Sequence, residues 1–229
     1  MILAIDTSTD QASVALSNDG DPCAEWSWTA RGNHSRHLTT VIRNLLSIAD
    51  CSLSALTAVV VARGPGSFNG LRVGMSEAKG LAMALQVPLV GIGTLDVIGY
   101  QASEASPEVW AIVAAGRDRV SLAKYGGNRE SWMRISDYLT TSLAEASRLV
   151  EGPALLAGCG AGLVAELMRR QGRYPNVAPA AWQMRRAAFL AELGRGYLES
   201  GGGDQLADLE PLYLRRSAAE ERRESTLQE

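Results

Sequence analysis

The chain has 229 residues, of which 46% are hydrophobic and 21% are charged, and its formal net charge is -3. These values are ordinary for a globular protein with a substantial core, and the mild acidity argues against an autonomous nucleic-acid binder. The cysteines Cys23, Cys51 and Cys159 are odd in number and far apart, as expected for reduced thiols in a cytoplasmic protein. The first residues lack the features of a signal peptide, and no stretch is long enough to span a bilayer. We therefore expect a soluble, intracellular protein.

The first hundred residues alternate between short apolar runs and longer segments with helical periodicity. An Asn18-Asp19-Gly20 turn joins the second and third runs, so the chain is predicted to open with an antiparallel β-meander. The predicted elements are strands at 2–7, 12–17, 23–28, 59–62 and 89–92, and helices at 34–49, 71–85 and 94–102.

A polar stretch at 103–107 that ends in proline is the best candidate for a domain boundary. Beyond it the pattern of strands followed by helix, strand and helix recurs, which indicates a weak internal repeat. We predict one lobe at 1–103, a second at 104–209, and a segment at 210–229 that returns to the first lobe and ends in a charged, frayed tail. The predicted elements are strands at 110–113, 120–125, 132–135 and 154–157, and helices at 142–150, 163–171 and 185–199.

A glycine-rich segment separates the strand at 59–62 from the helix at 71–85. It reads Arg63-Gly64-Pro65-Gly66-Ser67-Phe68-Asn69-Gly70-Leu71-Arg72, and its glycines let the backbone approach a ligand or a neighbouring chain closely. The start of a helix behind such a turn can bind an anion. However, no Gly-Lys-Ser/Thr closes the segment, so it is not a Walker A loop. Taken alone, the pattern favours a structural turn over a phosphate cradle.

Six motifs follow one another along nearly the whole chain. They are Leu3-Ala4-Ile5-Asp6-Thr7-Ser8, Ser13-Val14-Ala15-Leu16, His34-Ser35, Gly64-Pro65-Gly66-Ser67-Phe68, Gly70-Leu71-Arg72-Val73-Gly74 and Glu210-Pro211-Leu212-Tyr213-Leu214-Arg215. In this order they resemble the TsaB (YeaZ) family of the actin/Hsp70/sugar-kinase superfamily, although Asn69 stands where the family commonly has Thr. The resemblance implies a two-lobed actin-like (ribonuclease H-like) α/β fold, in which each lobe is a mixed sheet flanked by helices.

The resemblance also implies a task and a set of partners. TsaB is the non-catalytic dimerisation subunit of the bacterial tRNA threonylcarbamoyladenosine synthesis complex. Its paralogue TsaD transfers the threonylcarbamoyl group to the adenosine beside the anticodon of tRNAs that read ANN codons, and the small ATPase TsaE joins them. We therefore expect a heterodimer or larger complex with TsaD, and a homodimer in its absence. Contact with tRNA is expected only through the complex, and no contact with a membrane.

Neither a metal site nor a catalytic residue is expected. TsaD holds its metal with two histidines at i and i+4 on a helix, and the resemblance places Thr94 and Ile98 at those positions, where neither can replace an imidazole. The only histidines are His34 and His37, and no carboxylate or cysteine lies nearby in sequence to complete a metal site. We interpret these two residues as exposed or capping histidines.

Asp6 ends the first predicted strand, where the kinases of the superfamily place an acid that orients metal-bound water. An equally good explanation is that Asp6 satisfies backbone groups at a tight strand exit. In the second lobe, the resemblance places Ala114 where an Asp is usual, and Arg119 and Ser121 where the family has Glu and Tyr. Without that second acid, phosphoryl transfer is not expected.

The chain is accordingly expected to have no cofactor of its own, with ATP or ADP restricted to an interface within the complex. We assign to a vestigial or composite nucleotide site Asp6, Ser8, Gly64, Gly66 and Ser67.

The second glycine-rich segment, Gly158-Cys159-Gly160-Ala161-Gly162, also favours a structural turn. Its spacing is not that of a dinucleotide fingerprint, and no acid follows about 20 residues later. A Gly-x-Ser-x-Gly nucleophile elbow is missing from the sequence as well, which leaves little support for a serine hydrolase.

The helices at 34–49 and 71–85 carry more apolar residues than one buried stripe needs. Composition alone favours packing on the sheet and on each other, but in the TsaB family these helices form a bundle with TsaD or with a second TsaB. Replacement of Leu38 and Leu45 by arginine is then expected to abolish the complex with TsaD without unfolding the protein. We assign to this partner interface Leu38, Val41, Ile42, Leu45, Leu71, Met75, Ala78 and Ala82.

The sequence thus predicts a pseudo-enzyme that supports TsaD in tRNA modification. The alternatives are an actin-superfamily phosphotransferase or ATPase and, with less support, a peptidase. Direct tRNA binding conflicts with the acidity of the chain, although Arg185 and Arg186 would suit a composite RNA surface.

Overall fold

The computed structural model describes residues 1–203 and 206–214 as two mixed β-sheets, each covered by helices on both faces. The first sheet consists of β1 (Ile2–Asp6), β2 (Gln11–Asn18), β3 (Asp21–Thr29), β4 (Ala58–Gly64) and β5 (Leu89–Gly93). Its strand order is β3-β2-β1-β4-β5, with an antiparallel meander at β1 to β3 and parallel pairing of β1, β4 and β5. The meander predicted from the sequence is confirmed.

The second sheet repeats this arrangement. It consists of β6 (Glu108–Ala114), β7 (Arg119–Gly126), β8 (Met133–Arg134), β9 (Leu139–Ser142), β10 (Leu155–Ala157) and β11 (Asn176–Val177). The order β7-β6-β10-β11 matches β2-β1-β4-β5 in strand sense, which confirms the internal repeat, and β8 and β9 both pair with β7. The short strands β9 and β11 were not predicted, because so few residues carry no clear periodicity.

Helices of the described residues cover the sheets on both sides, and none is long and apolar enough to cross a membrane. The second helix begins at Phe68, earlier than predicted, because Ser67 caps it by accepting a hydrogen bond from the Gly70 amide at 3.3 Å. The helices are α1 (His34–Ile48), α2 (Phe68–Leu85), α3 (Thr94–Ala102), α4 (Leu143–Leu149), α5 (Ala161–Arg170) and α6 (Ala187–Glu199).

Each face of the first sheet has its own core. Because successive side chains of a strand point to opposite faces, Leu3 and Ile5 of β1 pack with α1 and α2, whereas Ala4 packs with α6. In the second lobe α3 covers one face of the sheet, and α4 and α5 cover the other. Since α3 contributes side chains to cores of both lobes, it is the helix that joins them.

The position of α6 differs from the predicted division of the chain. This helix follows the second lobe in sequence and was assigned to the range 104–209, but it packs on β1, β2, β4 and β5 of the first sheet. Small residues allow the close contact, since a β-carbon at Gly194 would collide with the side chain of Val60. Leu209 also lies in the first core, and the amide of Leu212 donates to the carbonyl of Arg63 at 2.6 Å. Within the range 210–229, residues 215–229 lie outside the described part.

The eight side chains assigned to a partner interface are core residues. The exposed fraction of each is 7% or less, because α1 and α2 turn this apolar face towards the sheet and towards each other. They are therefore not available to a partner on the folded chain, and the interface predicted from them needs correction. These residues pack on the sheet and between the two helices, as composition alone favoured. They are Leu38, Val41, Ile42, Leu45, Leu71, Met75, Ala78 and Ala82.

We predict that Leu38→Arg or Leu45→Arg unfolds the protein rather than leaving a folded chain that cannot bind its partner. Each leucine is 1% exposed, so arginine would bury an unpaired charge and lower the free energy of unfolding by more than about 4 kcal/mol. The control Ile48→Arg changes a side chain of the same helix that is 68% exposed, and should stay within about 0.5 kcal/mol of wild type. Urea denaturation measures all three. A stably folded Leu38→Arg protein would contradict this packing.

A second prediction concerns the contact between α6 and the second lobe. Arg129 donates to both carboxylate oxygens of Glu192, each at 2.6 Å, and Tyr100 also donates to Glu192 at 2.7 Å. Burial acts to raise the pKa of Glu192, but these hydrogen bonds and the charge of Arg129 hold the pKa below its ordinary value of 4.5. A lowered pKa in the folded state stabilises the fold above pH 4.5, and this contribution is lost as the pH falls through the lowered value.

Glu192→Gln should therefore lower the free energy of unfolding at pH 7 by up to about 1 kcal/mol. Its difference from wild type should shrink as the pH falls below 4.5. Chemical denaturation between pH 7 and pH 3 tests this. The control Glu104→Gln removes the more exposed partner of Arg129 and should have a smaller effect. A difference between wild type and Glu192→Gln that does not depend on pH would contradict the assignment.

Candidate functional site

The most deeply buried ion pair of the described residues lies at the exit of β1. Nε of Arg185 donates to Oδ2 of Asp6 at 2.7 Å, and the two side chains are 2% and 1% exposed. The other oxygen of Asp6, Oδ1, accepts from the amide of Ser8 at 2.9 Å and from its hydroxyl at 2.6 Å. Both carboxylate oxygens are thus occupied by groups of the chain itself.

Arg185 binds more than this carboxylate. Its Nη2 donates to the hydroxyl of Thr9 at 2.8 Å and to the carbonyl of Gln11 at 2.9 Å. Burial alone would lower the pKa of Arg185, but the charge of Asp6, its hydrogen bond to the guanidinium and the nearby Cys159 together raise the pKa above its ordinary value. The side chain is therefore a permanent cation that holds both ends of residues 6–11, which we call the strand-exit loop.

The strand-exit loop in turn positions the start of α2. The amide of Ser67 donates to the carbonyl of Ser8 at 2.7 Å, and the hydroxyl of Thr7 donates to the carbonyl of Gly70 at 2.7 Å. Glycine is needed where the two segments meet, since a β-carbon at Gly66 would collide with the carbonyl of Ser8. The glycine-rich segment thus acts first as a packing turn against the loop.

The same loop positions the start of α1 through a histidine. His34 is 2% exposed, and its Nε2 donates to the carbonyl of Thr9 at 2.7 Å, because a carbonyl can only accept. The prediction of an exposed or capping histidine is wrong for His34, which is buried while Asn33 occupies the N-cap position. His37 is exposed, as predicted.

A cleft of about 610 Å³ lies between the lobes, beside the strand-exit loop. Its first-lobe wall includes Gln11 and Ser67, and its second-lobe wall includes Ala114 and Ser121. The hydroxyls of Ser121 and Thr140 are hydrogen-bonded to each other at 2.7 Å across this second wall. The cleft therefore has the position of an interlobe binding site, but its walls offer mainly neutral groups.

A metal-bound nucleotide, which an actin-like fold implies in such a cleft, does not fit these residues. Asp6 is 0% exposed and its carboxylate is already paired with Arg185. The facing wall has a methyl group at Ala114, where a second acid would be needed. Among residues 1–203 and 206–214, no three His, Cys, Asp or Glu side chains come together as a group that could hold a metal ion.

The remaining residues of the predicted nucleotide and metal positions lie partly at the cleft and partly in the core. Gly66 and Ser67 line the cleft, whereas Gly64 lies against the carbonyl of Leu212 with a φ of +112° that favours glycine. Thr94 and Ile98 are buried in α3.

Two further positions concern the glycine-rich segments. Asn69, which stands where the family commonly has Thr, is an exposed residue in the first turn of α2 with a helical backbone. Gly158, with a φ of +97°, forms the compact turn between β10 and α5.

Arg185 is the functional residue that sequence reasoning missed. The sequence suggested it for a composite RNA surface, but it is buried, and it lies 179 residues away from its partner Asp6. A lone arginine before a helix gives no sequence signal for such a pair. Only the position of α6 against β1 and β2 brings the two residues together.

Comparisons with known proteins give a consistent result. The family model described as TsaD, tRNA N6-adenosine threonylcarbamoyltransferase, matches residues 28–190. The chain is 29% identical over 223 residues to the tRNA threonylcarbamoyladenosine biosynthesis protein TsaB of Bacillus subtilis, and the match covers 96% of each chain. It is 36% identical over 126 residues to the TsaB of Escherichia coli, and this match covers 54% of each chain, about half the length of that relative.

The fold is shared with a solved structure, YeaZ from Pseudomonas aeruginosa. The TM-score is 0.77 at 26% sequence identity, and the match covers 93% of this chain and 99% of that one. This likeness confirms the predicted two-lobed actin-like α/β fold, with a mixed sheet in each lobe.

We predict opposite effects of alanine at two glycines of α2. A β-carbon at Gly74 would collide with the hydroxyl of Thr7, whereas Gly80 is exposed and has open space around it. Gly74→Ala should lower the free energy of unfolding by about 1–3 kcal/mol, and Gly80→Ala should raise it by about 0.5–1 kcal/mol. Thermal or urea unfolding measures both. Equal effects of the two changes would show that α2 does not lie against the strand-exit loop.

Proposed function

Because the chain belongs to the TsaB (YeaZ) family, whose named members are tRNA threonylcarbamoyladenosine biosynthesis proteins, we propose that it is the non-catalytic subunit that binds TsaD and supports the transfer. The group transferred is threonylcarbamoyl, and its acceptor is the adenosine beside the anticodon of tRNAs that read ANN codons. TsaE joins this complex, tRNA is contacted through it, and a homodimer forms when TsaD is absent.

The single observation that carries the non-catalytic part is the ion pair of Asp6 and Arg185 at 2.7 Å. A phosphotransferase of this fold needs a carboxylate that is free to organise a metal and its water. Here the carboxylate is neutralised by a buried guanidinium, and Ala114 on the opposite wall offers no second carboxylate. ATP or ADP would then be bound only where a partner supplies the missing groups.

The partner-binding part is supported by the surface that α1 and α2 leave exposed. We define the partner face as the exposed sides of these two helices, with a shallow groove of about 380 Å³ between them. Thr39 of α1 donates to Glu77 of α2 at 3.2 Å, so the two helices present one continuous surface. Apart from the buried Leu38, the groove is lined by Ser35, Arg72, Val73, Ser76 and Glu77.

Reconstitution tests this function directly. The purified chain should stimulate threonylcarbamoylation of tRNA by TsaD from the same organism, in the presence of TsaE and threonylcarbamoyl-adenylate, as measured by nucleoside chromatography. Alone, it should neither hydrolyse ATP nor modify tRNA. Modification at the same rate with and without the chain would reject the supporting role. ATP turnover by the chain alone would favour the phosphotransferase alternative.

We predict that Ser76→Arg weakens the complex with TsaD at least about tenfold, because a bulky charge would be placed at the centre of the partner face. Ser76 is exposed, so the melting temperature of the chain should not change. The matched control is Ala144→Arg, at an exposed position of α4 in the second lobe, which should bind TsaD as wild type does. Calorimetry or gel filtration decides, and equal binding by both variants would reject this face.

A further inference from the structure

The positive charge at the exit of β1 comes from the chain itself. We propose that Arg185 is a built-in replacement for a divalent cation at Asp6. It keeps the strand-exit loop in one conformation that needs neither metal nor nucleotide. The wild-type chain then has no cation site at Asp6, and removal of the guanidinium creates one.

The geometry leaves no room for both cations. A magnesium ion binds carboxylate oxygen at about 2.0–2.1 Å and keeps most of its water shell. Nε of Arg185 lies 2.7 Å from Oδ2 of Asp6, and Oδ1 accepts two hydrogen bonds from Ser8. With both side chains 2% exposed or less, a hydrated ion would have to displace the guanidinium to reach either oxygen.

The replacement also explains why the charge is retained in a buried place. Burying an ion pair brings little net stability compared with apolar packing, but loss of one partner leaves an uncompensated buried charge. Arg185 additionally fixes Thr9 and Gln11 by hydrogen bonds to neutral oxygens.

The fixed loop reaches the partner face through two short paths. The carbonyl of Thr9 holds His34 at the start of α1, and the carbonyl of Ser8 holds Ser67 at the start of α2. Arg185, just before α6, thus positions both helices of that face. Only this last step rests on the proposed function, since the replacement of a cation concerns the chain alone.

The experiment uses thermal unfolding of the full chain with and without Mg²⁺ or Mn²⁺, at constant ionic strength. Arg185→Ala should lower the melting temperature by roughly 10 °C, because Asp6 remains buried without its partner. A divalent cation at about ten times its dissociation constant should restore roughly 3–6 °C. Wild type should show no such shift. The matched control is Arg186→Ala, which should show no such shift either. Arg186 is paired with Glu25, but its side chain is 54% exposed.

A double variant keeps the test decisive if Arg185→Ala does not fold. Asp6→Asn with Arg185→Ala removes both charges and keeps an oxygen that can accept from Ser8, so it should regain at least half of the lost stability and ignore divalent cations. The single variant Asp6→Asn is measured as well. If the losses of stability in Asp6→Asn and in Arg185→Ala simply add in the double variant, Arg185 acts through packing alone and the proposal fails. It also fails if wild type binds Mg²⁺ or Mn²⁺, or if a folded Arg185→Ala protein ignores both ions.

These measurements need no partner protein. If the chain gives the expected melting temperatures but does not stimulate TsaD, the replacement of a cation by Arg185 stands and the proposed function fails. If it stimulates TsaD but does not give those melting temperatures, the proposed function stands and the replacement fails.

Discussion

The ion pair between Asp6 and Arg185 is the constraint on which the rest of the site depends. It joins the exit of the first strand to Arg185, which lies two residues before α6 and 179 positions later in the chain. Around it the strand-exit loop holds the starts of α1 and α2 by backbone hydrogen bonds. A buried pair of this kind brings little net stability, but it tolerates no loss of either partner. It therefore specifies one arrangement of the loop.

The two helices near this loop illustrate how an apolar surface is divided between folding and binding. Most of their leucine, isoleucine and methionine side chains fill the core above the first sheet, whereas Ile48 and Met83 are exposed. What remains outside is mostly polar, with a shallow groove whose exposed residues include Ser35, Arg72 and Ser76. Such a surface is typical of an interface between proteins that are each stable alone, since those interfaces are about as apolar as the rest of the protein surface.

The second lobe retains the strand order of the first and forms the opposite wall of the cleft. Ala114 and Ser121 give the interlobe cleft a neutral wall. The lobes are joined by α3, which has side chains in cores of both lobes, and by the pair of Arg129 with Glu192 of α6. Asp10 is the one carboxylate among the described residues that line the cleft, and the lobes on either side of it are joined by packing and a salt bridge.

The sequence by itself determined most of the strands and helices, the internal repeat and the family, because periodicity and the glycine-rich motifs are local properties. It also identified the apolar residues of α1 and α2, but not what covers them, since a helical stripe looks the same whether a sheet or a partner lies against it. Only the tertiary structure decided that these residues are core, that α6 returns to the first sheet, and that His34 is buried. It alone brought Arg185 to Asp6, because a pair of single charges far apart in the chain has no spacing to be read, and only the packing of α6 on the sheet makes them neighbours.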